Sequence, residues 1–202
     1  MEVDRLGIKF FATDPAGAAD DRASFLRSLV PVFHTWIQKQ AVEGHLLIDV
    51  HDYSHIHHGP GILLVAHEGN FSLDTADGRL GLLYYRKQPL AGSAADRFAT
   101  TLRSTLQGCR LLEGEPALEG RIRFRTDEWL IVANDRLNAP NDDRTFARLQ
   151  PGISEVLKRV MPGADVRLTH LAGNPKERFA VNVRTGNTTN VKTLLARIPE
   201  RP

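Results

Sequence analysis

The sequence predicts one compact α/β domain of the α+β type, with helices packed on a mainly antiparallel sheet. Apolar residues alternate along several short segments, as strands require, and recur every three or four residues along others, as amphipathic helices require. The pattern of the first half also returns about 120 residues later. With 202 residues, 42% of them apolar, the chain can bury one sizeable core, and no low-complexity linker divides residues 1–202.

The internal repeat is clearest where the predicted helices begin. The first copy has Asp20, Asp21, Arg22, Phe25, Leu29 and Pro31, and the second has Asp142, Asp143, Arg144, Phe146, Leu149 and Pro151. Predicted strands follow at 46–50 and 61–67, and again at 165–171 and 178–183. We interpret this as duplicated β-α-β-β-α halves, ferredoxin-like in character, over about 1–113 and 121–198. Proline disfavours a helix interior, so each helix is expected to be interrupted there.

Further elements complete each half. Asp77-Gly78 predicts a tight hairpin between segments 71–74 and 79–85, which should extend the sheet. Ser93 and Asp96 resemble a capping box before a helix whose apolar stripe includes Cys109. Residues 122–135 supply the opening strands of the second half, and a short helix is expected between Asn190 and Pro199.

Composition excludes several classes of function. Twenty-six Lys and Arg against 24 Asp and Glu give a net charge of +2 without charged blocks, so no nucleic-acid partner is expected. The single cysteine fits a reducing compartment. The chain begins without a signal-peptide pattern, and no window reaches the roughly 18 apolar residues of a membrane span. We therefore expect a cytoplasmic protein with no membrane partner.

Histidine is concentrated in one region. Six of the eight histidines lie between residues 45 and 67: His45, His51, His55, His57, His58 and His67. Imidazoles bind transition metals, and a carboxylate can complete the ligand set. The pattern favours a transition-metal site drawn from His51, His55, His57, His58 and His67. The spacing matches no closed metal motif, so solvated or backbone-bonded histidines are the alternative.

Acid–base chemistry is a third interpretation of this region. A histidine oriented by a carboxylate could move a proton on a substrate held against a tyrosine. The catalytic candidates are His51, Asp52, Tyr53 and Glu68. The ligand-binding candidates are His55, His57, His58, Tyr84 and Arg136, the last as an anion clamp. Cys109 is rejected as a nucleophile because an apolar helix face keeps a thiol protonated.

Two classes of function remain open. The first is a small-molecule- or metal-binding protein with a His-rich loop pocket at 51–61, with acid–base chemistry as an option. The second is a non-catalytic interaction or self-association module without a metal, forming a homo-oligomer. Three nitrogen or carboxylate donors converging in a concave site would favour the first, and histidines splayed into solvent would favour the second. The sequence does not decide whether the protein is an enzyme.

Overall fold

The structure is a computed structural model that describes residues 3, 5–13, 19–56, 59–76, 78–173, 177–186 and 189–199. Its strands are β1 (Leu6–Thr13), β2 (Leu47–Tyr53), β3 (Gly61–Ala66), β4 (Gly69–Asp74), β5 (Gly81–Arg86), β6 (Arg123–Ala133), β7 (Val166–His170) and β8 (Phe179–Thr185). Its helices are α1 (Ala19–Lys39), α2 (Ala94–Glu113), α3 (Asp143–Val160) and α4 (Val191–Ala196). This confirms a mixed α+β fold.

The eight strands form one antiparallel sheet in the order β2-β3-β4-β5-β1-β6-β8-β7. Each half closes on its own first strand, because β1 pairs with β5 and β6 pairs with β8. The predicted hairpin is present as β4 and β5 and extends the sheet, while Asp77 of its turn lies outside the described residues. The ferredoxin-like character of the halves is not confirmed, since the first half contributes five neighbouring strands.

Alternation along the strands divides the sheet into two faces. Ile8 and Phe10 of β1 point into the main core, where Phe10 stacks on Trp129 with ring centres 5.0 Å apart. The intervening side chains point the other way, because side chains in a strand alternate between faces. A second apolar cluster there contains Phe11, Leu83, Leu130 and Val132 and no helix residue. We call the side of the sheet that carries this cluster the open face.

Both long repeat helices run through their prolines. Pro31 lies inside α1 and Pro151 inside α3, so the predicted interruptions are wrong. A proline removes one backbone hydrogen bond, but the buried apolar stripe on either side holds the helix against the sheet. In α1 this stripe includes Leu29 and Phe33, both fully buried. Tertiary packing therefore outweighs the local cost of the proline.

The helix starts follow their sequence signals. Ser93 caps α2, and its side chain and that of Asp96 form the expected reciprocal capping box. Asp142 caps α3 by accepting from the Thr145 N–H. Asn190 does the same for α4. None of the helices in the described ranges has the length and the apolar character needed to cross a membrane.

Candidate functional site

The histidine-rich region begins in an edge strand. We expected a strand over 46–50 followed by a loop, but β2 continues to Tyr53 and so includes His51 and Asp52. In the described part of the chain, β2 pairs with β3 on one side and with no strand on the other. Val50 packs against the main core, on the face of the sheet that the helices cover. Because side chains alternate along a strand, Asp52 lies on that same face, and Asp49 and His51 lie on the open face. His51 and Asp52 therefore point away from each other.

The carboxylate of Asp49 contacts two groups at this edge. Its Oδ1 accepts a hydrogen bond of 2.7 Å from the Val50 N–H, and its Oδ2 lies 3.5 Å from His51 Nε2. The Val50 N–H is thus directed away from β3, because an antiparallel strand turns alternate N–H groups to opposite sides. By the same alternation, the N–H of Asp52 also points outward. The outward groups of Val50 and Asp52 can therefore bond another strand, whereas those of Leu47 already bond to the Gln40 side chain.

Exposed apolar side chains concentrate along the same edge. Among the described residues, the large hydrophobic side chains with high exposure are Leu46, Ile48, Ile56, Leu137 and Leu171. Three of these five lie within residues 46–56, which we call the β2 edge. Ile48 is 53% exposed at a bulge in the pairing between Leu47 and Asp49. Exposed apolar side chains along a strand that has no neighbouring strand on one side are typical of a surface that pairs with another strand.

Among the other described candidates of the 51–61 segment, Asp52 and His55 are exposed and Tyr53 is half-buried. His55 lies in the turn after β2, and Asp52 accepts a hydrogen bond from the Ser54 N–H. Hydrogen bonds from Ser54 lower the pKa of Asp52. His57 and His58 lie outside the described residues. Within the described ranges, no three His, Cys, Asp or Glu side chains come together in a way that could hold a metal, so the predicted loop pocket stays a prediction.

His67 and Glu68 lie at the far end of β3 from this turn. Gly61, which pairs with Tyr53, begins β3, and the six residues to His67 span roughly 20 Å. Glu68 Oε2 accepts a hydrogen bond of 2.8 Å from the Leu46 N–H, and the His67 side chain is exposed. His55 in the turn and His67 at the end of β3 are therefore separated by the length of a strand, although they are close in sequence.

Tyr84 forms a buried polar network with His45. His45 Nδ1 lies 3.1 Å from the carbonyl oxygen of Glu43, and Nε2 lies 2.8 Å from the Tyr84 hydroxyl. Since a carbonyl can only accept, we assign the proton to Nδ1, and Nε2 then accepts from Tyr84. Burial raises the pKa of Tyr84, although Arg86 donates to its hydroxyl oxygen. Tyr84 is fully buried, so this network stabilises the core and does not face a ligand.

Arg136, the predicted anion clamp, is exposed in the turn after β6. The turn is organised by Asp135, whose carboxylate accepts from the backbone and side-chain N–H groups of Asn138. This arrangement fits the local turn chemistry of Asx residues. Among the contacts of the described residues, none brings another predicted site residue close to Arg136.

The open face carries buried charges that the sequence analysis missed. Lys9 Nζ lies 2.8 Å from Asp74 Oδ1, and both side chains are almost completely buried. Asp74 also accepts from Ser72 Oγ and from the Ala76 N–H. The partners are 65 residues apart in sequence, so no spacing rule could have joined them. Because the charges in this cluster pair with each other, we assign it a structural role.

A second charge cluster lies farther along this face, around Glu128. Arg79 Nη1 donates to Glu128 Oε2 at 2.9 Å, and Asn182 and Arg184 donate to Oε1. These bonds, with that from Arg79 the largest effect, lower the pKa of Glu128 to about 2. The Arg79 guanidinium also lies 3.4 Å from the centre of the Phe11 ring, where it covers part of the second apolar cluster.

The lowered pKa of Glu128 predicts a pH dependence of stability. A carboxylate with a depressed folded-state pKa stabilises the fold above its unfolded pKa, near 4.5, and loses that contribution as pH falls toward about 2. Between these values, the free energy of unfolding should fall more steeply for wild type than for Glu128→Gln. Urea denaturation at pH 7, 4.5, 3.5 and 2.5 measures the two slopes. The exposed Glu155→Gln should keep the wild-type slope, and equal slopes for Glu128→Gln and wild type would contradict the assignment.

Two shallow grooves lie elsewhere on the described surface. One of about 580 Å³ lies between α2 and α4, beside Arg103, Arg110 and Lys192. Another of about 390 Å³ lies beside the start of β6. Neither is lined by a residue of the histidine-rich region.

Comparison with protein-family models, with curated proteins and with solved structures finds no match.

Proposed function

We propose that this protein is a non-catalytic self-association module in which β2 of one copy pairs antiparallel with β2 of a second copy. The pairing joins two eight-stranded sheets into one continuous sheet. The observation that carries the proposal is the β2 edge itself, where outward backbone groups and three exposed apolar side chains flank the self-complementary sequence Asp49-Val50-His51. A twofold interface needs such self-complementarity, because the same patch contacts itself.

The register follows from the charges. An antiparallel pair centred on Val50 places Asp49 opposite His51 of the second copy, and the reverse. The Val50 N–H and C=O then bond to Val50 of the second copy, since both point outward. Asp49 and His51 become a non-hydrogen-bonded backbone pair, whose Cα atoms lie about 4.5 Å apart. At that distance the imidazole N–H can donate to the carboxylate across the interface.

The same features favour a second copy over an arbitrary strand. Bulges and edge charges are devices that limit unspecific strand pairing, and β2 has both. Asp49 occupies the Val50 N–H in the single chain and must release it when a strand arrives. A strand with no donor opposite Asp49 leaves this carboxylate unpaired, which costs binding energy. His51 of another copy supplies that donor.

The expected affinity is moderate. One strand edge with Leu46, Ile48 and Ile56 buries less surface than a standard stable interface, so the dimer should resemble transient complexes. We expect a dissociation constant of roughly 1–100 μM and therefore a dimer that dissociates on dilution. Sedimentation equilibrium over a range of protein concentrations measures it.

Val50→Pro tests the proposal. Proline lacks the N–H that the dimer uses, and that N–H points away from β3 and bonds to the Asp49 side chain, so an edge proline here should preserve the fold. We expect the variant to remain monomeric at concentrations where wild type is mainly dimeric, with an unchanged far-UV circular dichroism spectrum. Dimerisation of folded Val50→Pro at the wild-type affinity would overturn the proposal.

The other sheet edge supplies a matched control. Leu171 and Asp165 lie in hydrogen-bonded pairs with β8, so by alternation the Leu168 N–H points outward from β7. Leu168→Pro therefore removes an equivalent outward donor from the opposite edge. We expect this variant to dimerise like wild type. A loss of dimer in Leu168→Pro alone would assign self-association to β7 and contradict pairing through β2.

We further infer that the two halves arose by duplication, related by a twofold axis between β1 and β6. The offset between paired residues of β1 and β6 runs from 127 at Leu6 and Ala133 to 119 at Phe10 and Trp129, and is 123 at Ile8 and Ile131 near the middle. The helix motif repeats at nearly the same offset, 122 residues between Asp20 and Asp142. An internal twofold axis requires paired central residues to be repeat equivalents, and these offsets support that relation.

A further inference from the structure

We propose that the paired β2 strands bind one transition-metal ion of the Zn²⁺ type through Asp49 and His51 of both copies. This inference rests on the proposed self-association. In one copy, Asp49 Oδ2 and His51 Nε2 lie 3.5 Å apart on the open face, and both side chains are about half exposed. Two donors are half of a tetrahedral set, so the site is incomplete without the second copy.

The strand geometry brings all four donors to one place. Asp49 and His51 are two residues apart on one strand, about 7 Å, and so lie on the same face. Directly opposed side chains in an antiparallel pair have Cβ atoms about 4.5–5.5 Å apart. The four side chains thus surround the twofold axis, each within reach of an ion on that axis. Val50 packs toward the main core and leaves the space above the axis open.

The donor set fits zinc and related ions. Two imidazole nitrogens and two carboxylate oxygens satisfy the tetrahedral coordination that Zn²⁺ prefers. Calcium and magnesium prefer sites built wholly from oxygen, so two imidazoles disfavour them. His67 lies two residues beyond Val65, the β3 partner of Asp49, and is not part of the paired β2 strands that supply the four donors. The ion replaces the hydrogen bond between Asp49 and His51 of the second copy with bonds to both groups.

Metal binding should tighten the dimer by mass action. An ion that binds the pair and not the single chain lowers the dimer dissociation constant in proportion to its saturation of the site. At free Zn²⁺ one hundred times its own dissociation constant, the dimer should be about 100-fold tighter. Sedimentation equilibrium in Zn²⁺ and in EDTA measures the change. Isothermal titration with Zn²⁺ should give one ion per two chains, and Co²⁺ should give the visible absorption of a tetrahedral site.

Two variants separate the metal from the interface. His51→Gln keeps an N–H donor opposite Asp49, so its metal-free dimer should persist while the effect of Zn²⁺ is lost. His34→Gln replaces an exposed histidine on α1, on the opposite side of the sheet from Asp49 and His51, and should respond to Zn²⁺ like wild type. A zinc effect of wild-type size in His51→Gln, or one ion per single chain, would overturn the inference. If wild type dimerises equally in Zn²⁺ and EDTA, the metal site is refuted and self-association stands. If no dimer forms in either, both are refuted.

Discussion

Lys9→Met is expected to lower the free energy of unfolding by about 3–5 kcal/mol. The substitution removes the ammonium that lies 2.8 Å from the Asp74 carboxylate, where the two side chains are 0% and 3% exposed. Asp74 is then held in a dry environment without this countercharge, and its bonds from Ser72 and Ala76 compensate only in part. Urea denaturation at pH 7 measures the loss.

Two comparison variants make the Lys9 prediction specific. Lys9→Met combined with Asp74→Leu removes both charges and should recover much of the stability, because replacing a whole buried pair by apolar groups is often nearly neutral. Arg125→Met breaks a partly exposed pair with Asp127 and should cost less than about 1 kcal/mol. A cost for Lys9→Met no larger than that for Arg125→Met would show that the pair contributes little.

Gly61→Ala is expected to cost about 2–5 kcal/mol. Gly61 begins β3 at a φ of 63°, a left-handed conformation that residues with a Cβ adopt with strain. An added Cβ would also lie 2.1 Å from the carbonyl oxygen of Leu73, a backbone atom that cannot move alone. Since Gly61 pairs with Tyr53, the strain falls on the end of β2 as well. Thermal unfolding measures the change in stability.

Gly163→Ala separates conformational strain from collision. Gly163 has a φ of 76°, and nothing lies within 4 Å of an added Cβ. This variant should therefore lose only about 1 kcal/mol, the cost of the left-handed backbone conformation. Equal losses in Gly61→Ala and Gly163→Ala would mean that the contact with Leu73 relaxes without cost.

Periodicity predicted most elements because most of them bury one face. The apolar stripe of α2 and the alternation in β8 are direct consequences of such burial. The end of β2 was missed because an edge strand with both faces partly exposed carries no apolar alternation. His51 and Asp52 therefore resembled a loop. Lys9 was missed for the opposite reason, since a lone charge in a strand normally indicates a solvent-facing position.

The candidate site could be predicted only in part. Histidine enrichment pointed to the region that contains the β2 edge, and His51 remains in the proposed interface. Closeness in sequence did not predict closeness in space, because His45 is in the core and His67 lies at the opposite end of β3. That β2 would be an edge strand could not be predicted either. Strand order follows from contacts distant in sequence, and composition does not report them.

Disulfide trapping of the β2 pair tests the central claim most directly. Asp49→Cys and His51→Cys chains, made distinguishable by size, are mixed and oxidised. The native Cys109 is fully buried, and burial raises the pKa of its thiol, so it should not compete. Opposed residues with Cα atoms about 4.5 Å apart meet the geometry of a disulfide. The proposed register predicts a cross-link between the two variants far in excess of either variant with itself. Predominant cross-links within one variant, or none at all, would contradict pairing of β2 about Val50.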